Sequence, residues 1–134
     1  MGIEPNPVSG CTIGEASRRS GCRPSTLRYY ESVGILPDVP RLNGQRRYGQ
    51  EHLDRIGLIR KARSLGFSMR ELARLVDGFA PRTPASARWS ELAGGKIAEI
   101  DSLLDELRER RKRLLRLADC ACPDLDACGR QLSA

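Results

Sequence analysis

Read for its apolar positions, the chain changes character three times. Between Thr12 and Leu36 apolar residues come in short clusters, Ile13 with Ala16 and then Leu27, Tyr30 and Ile35. That spacing predicts two short helices, each with one apolar face. Thr12 followed three residues later by Glu15 is the capping-box pattern that opens the first. Gly21 closes it with a turn, and Pro24 suits the first position of the second, where a missing N–H costs nothing. Helix, tight glycine turn, helix is the helix-turn-helix pattern.

The clusters then stop. "PDVPRLNGQRRYG" is punctuated by Pro37, Pro40 and Asn43-Gly44, which predicts a tight hairpin. It is basic and follows a helix-turn-helix, so it is expected to be a wing. Helical spacing returns at Leu53, Ile56, Ile59 and Ala62, ended by Gly66. Ser68 with Glu71 three residues on opens another short helix, and "APRTPASA" is a linker.

From about Ser86 to Ala118 the chain reads as one long charged helix. Ile100, Leu103, Leu107, Leu114 and Leu117 fall on a and d heptad positions, with Leu104 beside them and Arg110 interrupting the seam. So narrow an apolar stripe does not fold alone and needs a partner helix. Pairing with a second copy, as an antiparallel coiled coil, is therefore expected. Trp89, at the start of this helix, is expected to pack against the head.

The resulting expectation is a mainly α chain in four parts. Residues 1–11 form a flexible arm, 12–80 a winged helix-turn-helix, 81–119 a linker and dimerisation helix, and 120–134 a cysteine-containing loop and tail. At 134 residues, with 4% aromatic and 30% charged positions, there is room for one small aliphatic core plus an appendage.

Charge adds a direction. The net charge is +6, and residues 18–74 are rich in arginine with few acids between. An acidic partner, nucleic acid first, fits that balance. No run of 18 apolar residues offers a membrane span. The start "MGIEPNPVSG" lacks the basic-then-apolar build of a secretory signal, so a cytoplasmic location is expected. One histidine, and no Ser-His-Asp set, phosphate loop or paired-carboxylate cleft, argue against an enzyme. Where thiols stay reduced, five cysteines favour a metal, a cluster or a redox switch over disulfides.

The run from Thr12 to Leu72 resembles the winged-helix domain of MerR-family transcriptional regulators. "LRYYESVGIL", "RRY" and "ARSLGFSMREL" are the most specific pieces. Within the family the chain is most similar to regulators of the SoxR kind, in "NGQRR", in "TPASARWSEL" and in the tail spacing C-x-C-x5-C. The resemblance implies a homodimer on double-stranded promoter DNA, shared with RNA polymerase, that activates by distorting the DNA. It implies that the second helix enters the major groove with Ser25, Thr26, Arg28 and Tyr29. The wing residues Arg41, Asn43, Arg46, Arg47 and Tyr48 would grip the backbone nearby.

The input to such a switch is expected in the tail. Cys120 and Cys122, then Pro123 and a short return to Cys128, put three thiols within reach of one ion. SoxR proteins carry a further cysteine three residues before the C-x-C, and here that position is Leu117. A [2Fe–2S] cluster would then need Asp119 or a partner residue as fourth ligand. A thiophilic metal ion is satisfied by three thiolates, or three plus an oxygen. Bare thiols could be oxidised or alkylated directly, and a tail that no longer senses anything is the remaining alternative. Cys22 is expected to fill core, Cys11 has no evident partner, and His52 is expected at the surface.

Overall fold

The computed structural model describes residues 10–132, which divide into two compact units, one reaching to Leu92 and one from Ala93 onward. In the first, helix α1 (Ile13–Ser20) starts where Thr12 Oγ1 accepts the Glu15 N–H at 3.3 Å. Gly21 ends it in the left-handed region, φ 70°. A Cβ there would also sit 2.9 Å from the Arg60 guanidinium, which donates to the Ser20 carbonyl. Only glycine satisfies both the angle and the close approach. Helix α2 (Pro24–Ser32) follows with Pro24 in its first turn.

Strands β1 (Arg41–Leu42) and β2 (Gln45–Arg46) pair antiparallel, Arg41 opposite Arg46 and Leu42 opposite Gln45. Asn43 and Gly44 turn the chain with φ of 51° and 77°, the two left-handed residues that a two-residue hairpin requires. Helix α3 (Gln50–Ser64) and helix α4 (Met69–Asp77) complete the head. The capping box before α4 is reciprocal: Ser68 Oγ accepts the Glu71 N–H at 3.2 Å, and the Glu71 carboxylate accepts the Ser68 N–H at 2.6 Å.

These elements close over one aliphatic core. Ala16, Leu27, Ile35, Ile56 and Ile59 are almost wholly buried, and Cys22 packs among them as core filler. Full burial of one such large aliphatic side chain contributes about 1.5–3 kcal/mol. Two residues depart from the expectations above. Tyr48, read as a DNA-gripping wing residue, is 1% exposed, with its hydroxyl enclosed. Its neighbour in the bridge explains why: Cys11 and Tyr48 exchange backbone hydrogen bonds of 2.8 and 2.9 Å, pinning Tyr48 inward. Cys11 is accordingly part of the fold rather than of a loose arm; residues 1–9 lie outside the described residues.

His52 is the second departure, buried where a surface residue was expected. Its Nδ1 accepts the Gly49 N–H at 3.0 Å, and its Nε2 lies 3.0 Å from the Asp38 carbonyl. With Nδ1 accepting from Gly49, the tautomer that suits both contacts carries its proton on Nε2, facing the Asp38 carbonyl. The ring also meets Tyr48 edge-on, with centroids 6.0 Å apart. One imidazole thus ties the start of α3 to the segment that leads into the wing.

Helix α5 (Ala85–Ala118) begins in the first unit and continues through the second. In its opening turns Arg88 donates to the carbonyls of Leu75, Val76 and Thr83 at 2.7–3.0 Å, satisfying the C-terminal end of α4. Trp89 stacks edge-on to Phe67, centroids 5.5 Å apart, and Leu92 is buried in the same core. From residue 97 to 119 every side chain is exposed, the apolar ones included.

The tail corrects the expectation of a loop. Helix α6 (Leu125–Leu132) carries Cys128 within it. Asp124 caps it, its carboxylate accepting the Ala127 N–H at 2.8 Å. Asp124 immediately after Pro123 is a helix-start signal legible in the sequence.

Candidate nucleic-acid interface and thiolate site

The outer face of α2 displays Ser25, Arg28 and Tyr29 to solvent, with Thr26 half-buried at the first turn. No side chain caps the N-terminus of this helix; Pro24 carries no N–H, and the Thr26 N–H is taken by the Arg23 carbonyl at 3.0 Å. At the wing, Arg41 and Asn43 are exposed, and Arg41 Nη1 donates to the Gly44 carbonyl at 3.2 Å, closing the turn.

Arg46 has a different occupation. Its Nε donates to the Glu31 carboxylate at 2.7 Å, both side chains about a quarter exposed. The pair joins wing to α2, so it orients the two surfaces relative to one another. Sequence spacing gave no hint of Glu31, which lies fifteen residues away and finds Arg46 only once the hairpin folds back. Arg47 is half-buried, its backbone N–H donating to the Pro40 carbonyl at 2.8 Å and its Nε enclosed without a hydrogen-bond partner.

In the second unit the three tail cysteines converge. Cys120 follows the last turn of α5, Cys122 precedes Pro123, and Cys128 sits on α6. Their sulfurs all lie within 4.8 Å of one another, and Cys120 Sγ is 3.5 Å from Cys128 Sγ. Asp119 does not join this group, and no acid completes it among the described residues. Two partners were not foreseen. The Cys122 backbone N–H donates to Cys120 Sγ at 3.2 Å, and Cys122 Sγ donates to Gln131 Oε1 at 3.6 Å.

The electrostatics follow from this crowding. Hydrogen bonds to its sulfur, from the Cys122 thiol and N–H first and Cys128 next, pull the Cys120 thiol below its ordinary range. The same hydrogen bonds, to Cys120 and Cys128, push Cys122 up to about 12. One thiolate shared among three sulfurs is stabilised, but a second and third repel it unless a cation is present. Beside the site, Arg113, Arg116 and Leu117 from α5 and Gln131 and Leu132 from α6 line a groove that reaches Cys120 and Cys128. Leu117 therefore stands next to the sulfurs with a side chain that has no donor atom.

The chain matches two family descriptions: "MerR HTH family regulatory protein" over residues 11–78, and "MerR, DNA binding" over residues 53–117. The chain belongs to the MerR family. Among its relatives, the HTH-type transcriptional regulator HmrR of Rhizobium leguminosarum bv. viciae is 37% identical over 105 residues, 78% of this chain and 81% of the relative. A SoxR homolog of Chromobacterium violaceum is 31% identical over 121 residues, 90% and 82% of the two chains. In structure, the chain is similar to the transcription regulator PbrR691 of Ralstonia metallidurans CH34 in complex with lead(II). That match has a TM-score of 0.68 and 28% identity, and covers 85% of this chain and 90% of the other. The protein is a MerR-family DNA-binding transcriptional regulator. Its likeness is spread across the family: HmrR matches it at higher identity than the SoxR homolog does. No helix among the described residues is long and apolar enough to cross a membrane.

Proposed function

We propose that this regulator binds promoter DNA as a homodimer and that its cysteine site takes a thiophilic metal ion, the loaded dimer activating transcription by distorting the promoter. The convergence of three sulfurs within 4.8 Å, with no fourth Cys, His, Asp or Glu in the group among the described residues, is the observation that carries this reading. Soft cations accept three thiolates; a [2Fe–2S] cluster normally needs four. The lead(II) complex of PbrR691 supports the same chemistry. A bound cation supplies the charge that lets all three thiols ionise together. The Cys122 N–H holds Cys120 Sγ in place, and Arg113 and Arg116 add positive potential along the neighbouring groove. With Cys128 on α6 and Cys120 at the end of α5, loading would fasten one helix to the other.

On the DNA side, α2 would enter the major groove with Ser25, Thr26, Arg28 and Tyr29. Arg41 and Asn43 at the wing tip would hold phosphates, with Arg46 and Arg47 behind them. Bending and untwisting a promoter costs a few kcal/mol, which these phosphate contacts must offset. The seam of α5 would join two such heads, and RNA polymerase would read the distorted promoter in the cytoplasm. A second reading, a [2Fe–2S] cluster with one ligand from elsewhere, draws on the SoxR homolog among the relatives.

Anaerobic purification followed by a visible spectrum and elemental analysis tests the site. A colourless protein that takes up one lead(II), mercury(II) or copper(I) per site supports the metal reading; stoichiometric iron with sulfide and visible absorption replaces it with the cluster. A gel-shift titration tests the heads, with affinity expected to fall steeply as salt rises.

A further inference from the structure

The three sulfurs are not equivalent. Cys120 and Cys128 are in contact at 3.5 Å, while Cys122 Sγ also lies 3.6 Å from Gln131 Oε1. All three are partly exposed, and all are free thiols. Cys120 lies at the end of α5 and Cys128 on α6, and the turn between them carries short-range hydrogen bonds: the Asp124 carboxylate accepts the Ala127 N–H, the Asp124 carbonyl accepts the Cys128 N–H at 3.3 Å, and Cys120 Sγ accepts the Cys122 N–H at 3.2 Å. Closing Cys120 and Cys128 from 3.5 Å to bonding distance, ~2.05 Å, is therefore a movement of about 1.5 Å within one short turn.

We propose that Cys120 and Cys128 form a reversible disulfide under hydroperoxide, and that this bond shuts the site to metal ions. The step balances. A thiolate of the pair attacks the peroxide oxygen, giving a sulfenic acid and releasing an alcohol, or water from hydrogen peroxide. The second thiolate attacks the sulfenic sulfur, the S–S bond forms, and hydroxide leaves to be protonated as water. Two electrons pass from the two thiols to the peroxide. Cys122 is left as a single thiol, too few to hold a soft cation. Oxidation and metal loading thus compete for the same two sulfurs. The disulfide stands on sulfur geometry alone; only its effect on metal uptake rests on the function proposed above.

The test uses the full-length, metal-free protein treated with one equivalent of hydrogen peroxide. It is then blocked with iodoacetamide and digested at aspartates, which separates residues 119–123 from residues 126–134. The expected product is a mass two units lower, with those two peptides linked. C122S should give the same link, and C120S or C128S should give none. A bond confined to 119–123, a link lost in C122S, or a bond between two chains overturns the proposal. In parallel, lead(II) uptake is followed by its sulfur-to-metal absorption before oxidation, after it, and after reduction with dithiothreitol. Uptake lost on oxidation and restored on reduction supports the competition; uptake unchanged in fully oxidised protein overturns it. If reduced protein takes up no lead(II), the metal reading fails while the peptide map still decides the disulfide.

Discussion

The two units solve the problem of apolar surface in opposite ways. The head folds its leucines and isoleucines inward until Leu27 and Ile56 are fully buried. The second unit leaves its seam open, with Ile100, Leu103, Leu107 and Leu114 each between 47% and 64% exposed. Solvent-facing pairs such as Arg108–Asp105 and Lys112–Glu109 add little to such a helix. The head closes over its own core, whereas the second unit leaves its apolar seam and three sulfurs open, and under the proposed function these take a second copy and a ligand. A regulator has reason to be divided in this way, since the part that must respond is the part whose structure is contingent.

The difference can be broken by mutation, beginning where the effect is largest. Ile56→Ala should cost the head about 2–5 kcal/mol in urea unfolding, at any protein concentration. Leu107→Ala should instead show a loss that depends on protein concentration, because in the proposed dimer the contact it removes is with another chain. Equal, concentration-independent losses would dissolve the distinction. Cys120→Ser should weaken lead(II) uptake by at least the ~10–100-fold that loss of a supporting group alone costs a metal site. Its head should melt unchanged.

Within the metal-free site, alkylation followed against pH should modify Cys120 first, below the range of an ordinary thiol, and Cys122 last. The sign follows from the shifts: a lowered pKa exposes thiolate at lower pH, and a thiol pushed up to about 12 stays protonated through neutrality. His52→Ala should destabilise the head by about 1–3 kcal/mol, leaving the Gly49 N–H and Asp38 carbonyl unpaired. His52→Asn, which can accept and donate, should recover part of it. Last, the Arg46–Glu31 pair is about a quarter exposed, so a double-mutant cycle should return only ~0.2–1 kcal/mol. Its larger consequence is expected in DNA affinity, through the angle between wing and α2.

Local chemistry made much of the head legible. Thr12 and Glu15, Gly21, Pro24, Asn43-Gly44 and Ser68 with Glu71 are signals whose physics acts over a few residues, and each stands where its spacing placed it. The same holds for α5 as one long helix and for the closeness of Cys120, Cys122 and Cys128, which a short connection enforces. Asp124 carried a start signal for α6 of the same kind, obscured by its place among cysteines and acids that suggested a binding loop.

What the sequence could not decide were the partnerships made across distance. Tyr48 looked like a wing residue because it follows two arginines, and it is core because its backbone pairs with Cys11, thirty-seven positions earlier. His52 looked solvated beside Glu51, and it is buried because a carbonyl at Asp38 and an amide at Gly49 both reach it. Arg46 looked free until the hairpin brought it to Glu31. The sequence by itself determined the elements, their caps and the crowding of three sulfurs, since those depend on neighbours along the chain. Which polar groups are spent inside the protein, and which remain for DNA or a metal ion, only the tertiary structure decided, because burial is a property of what folds on top.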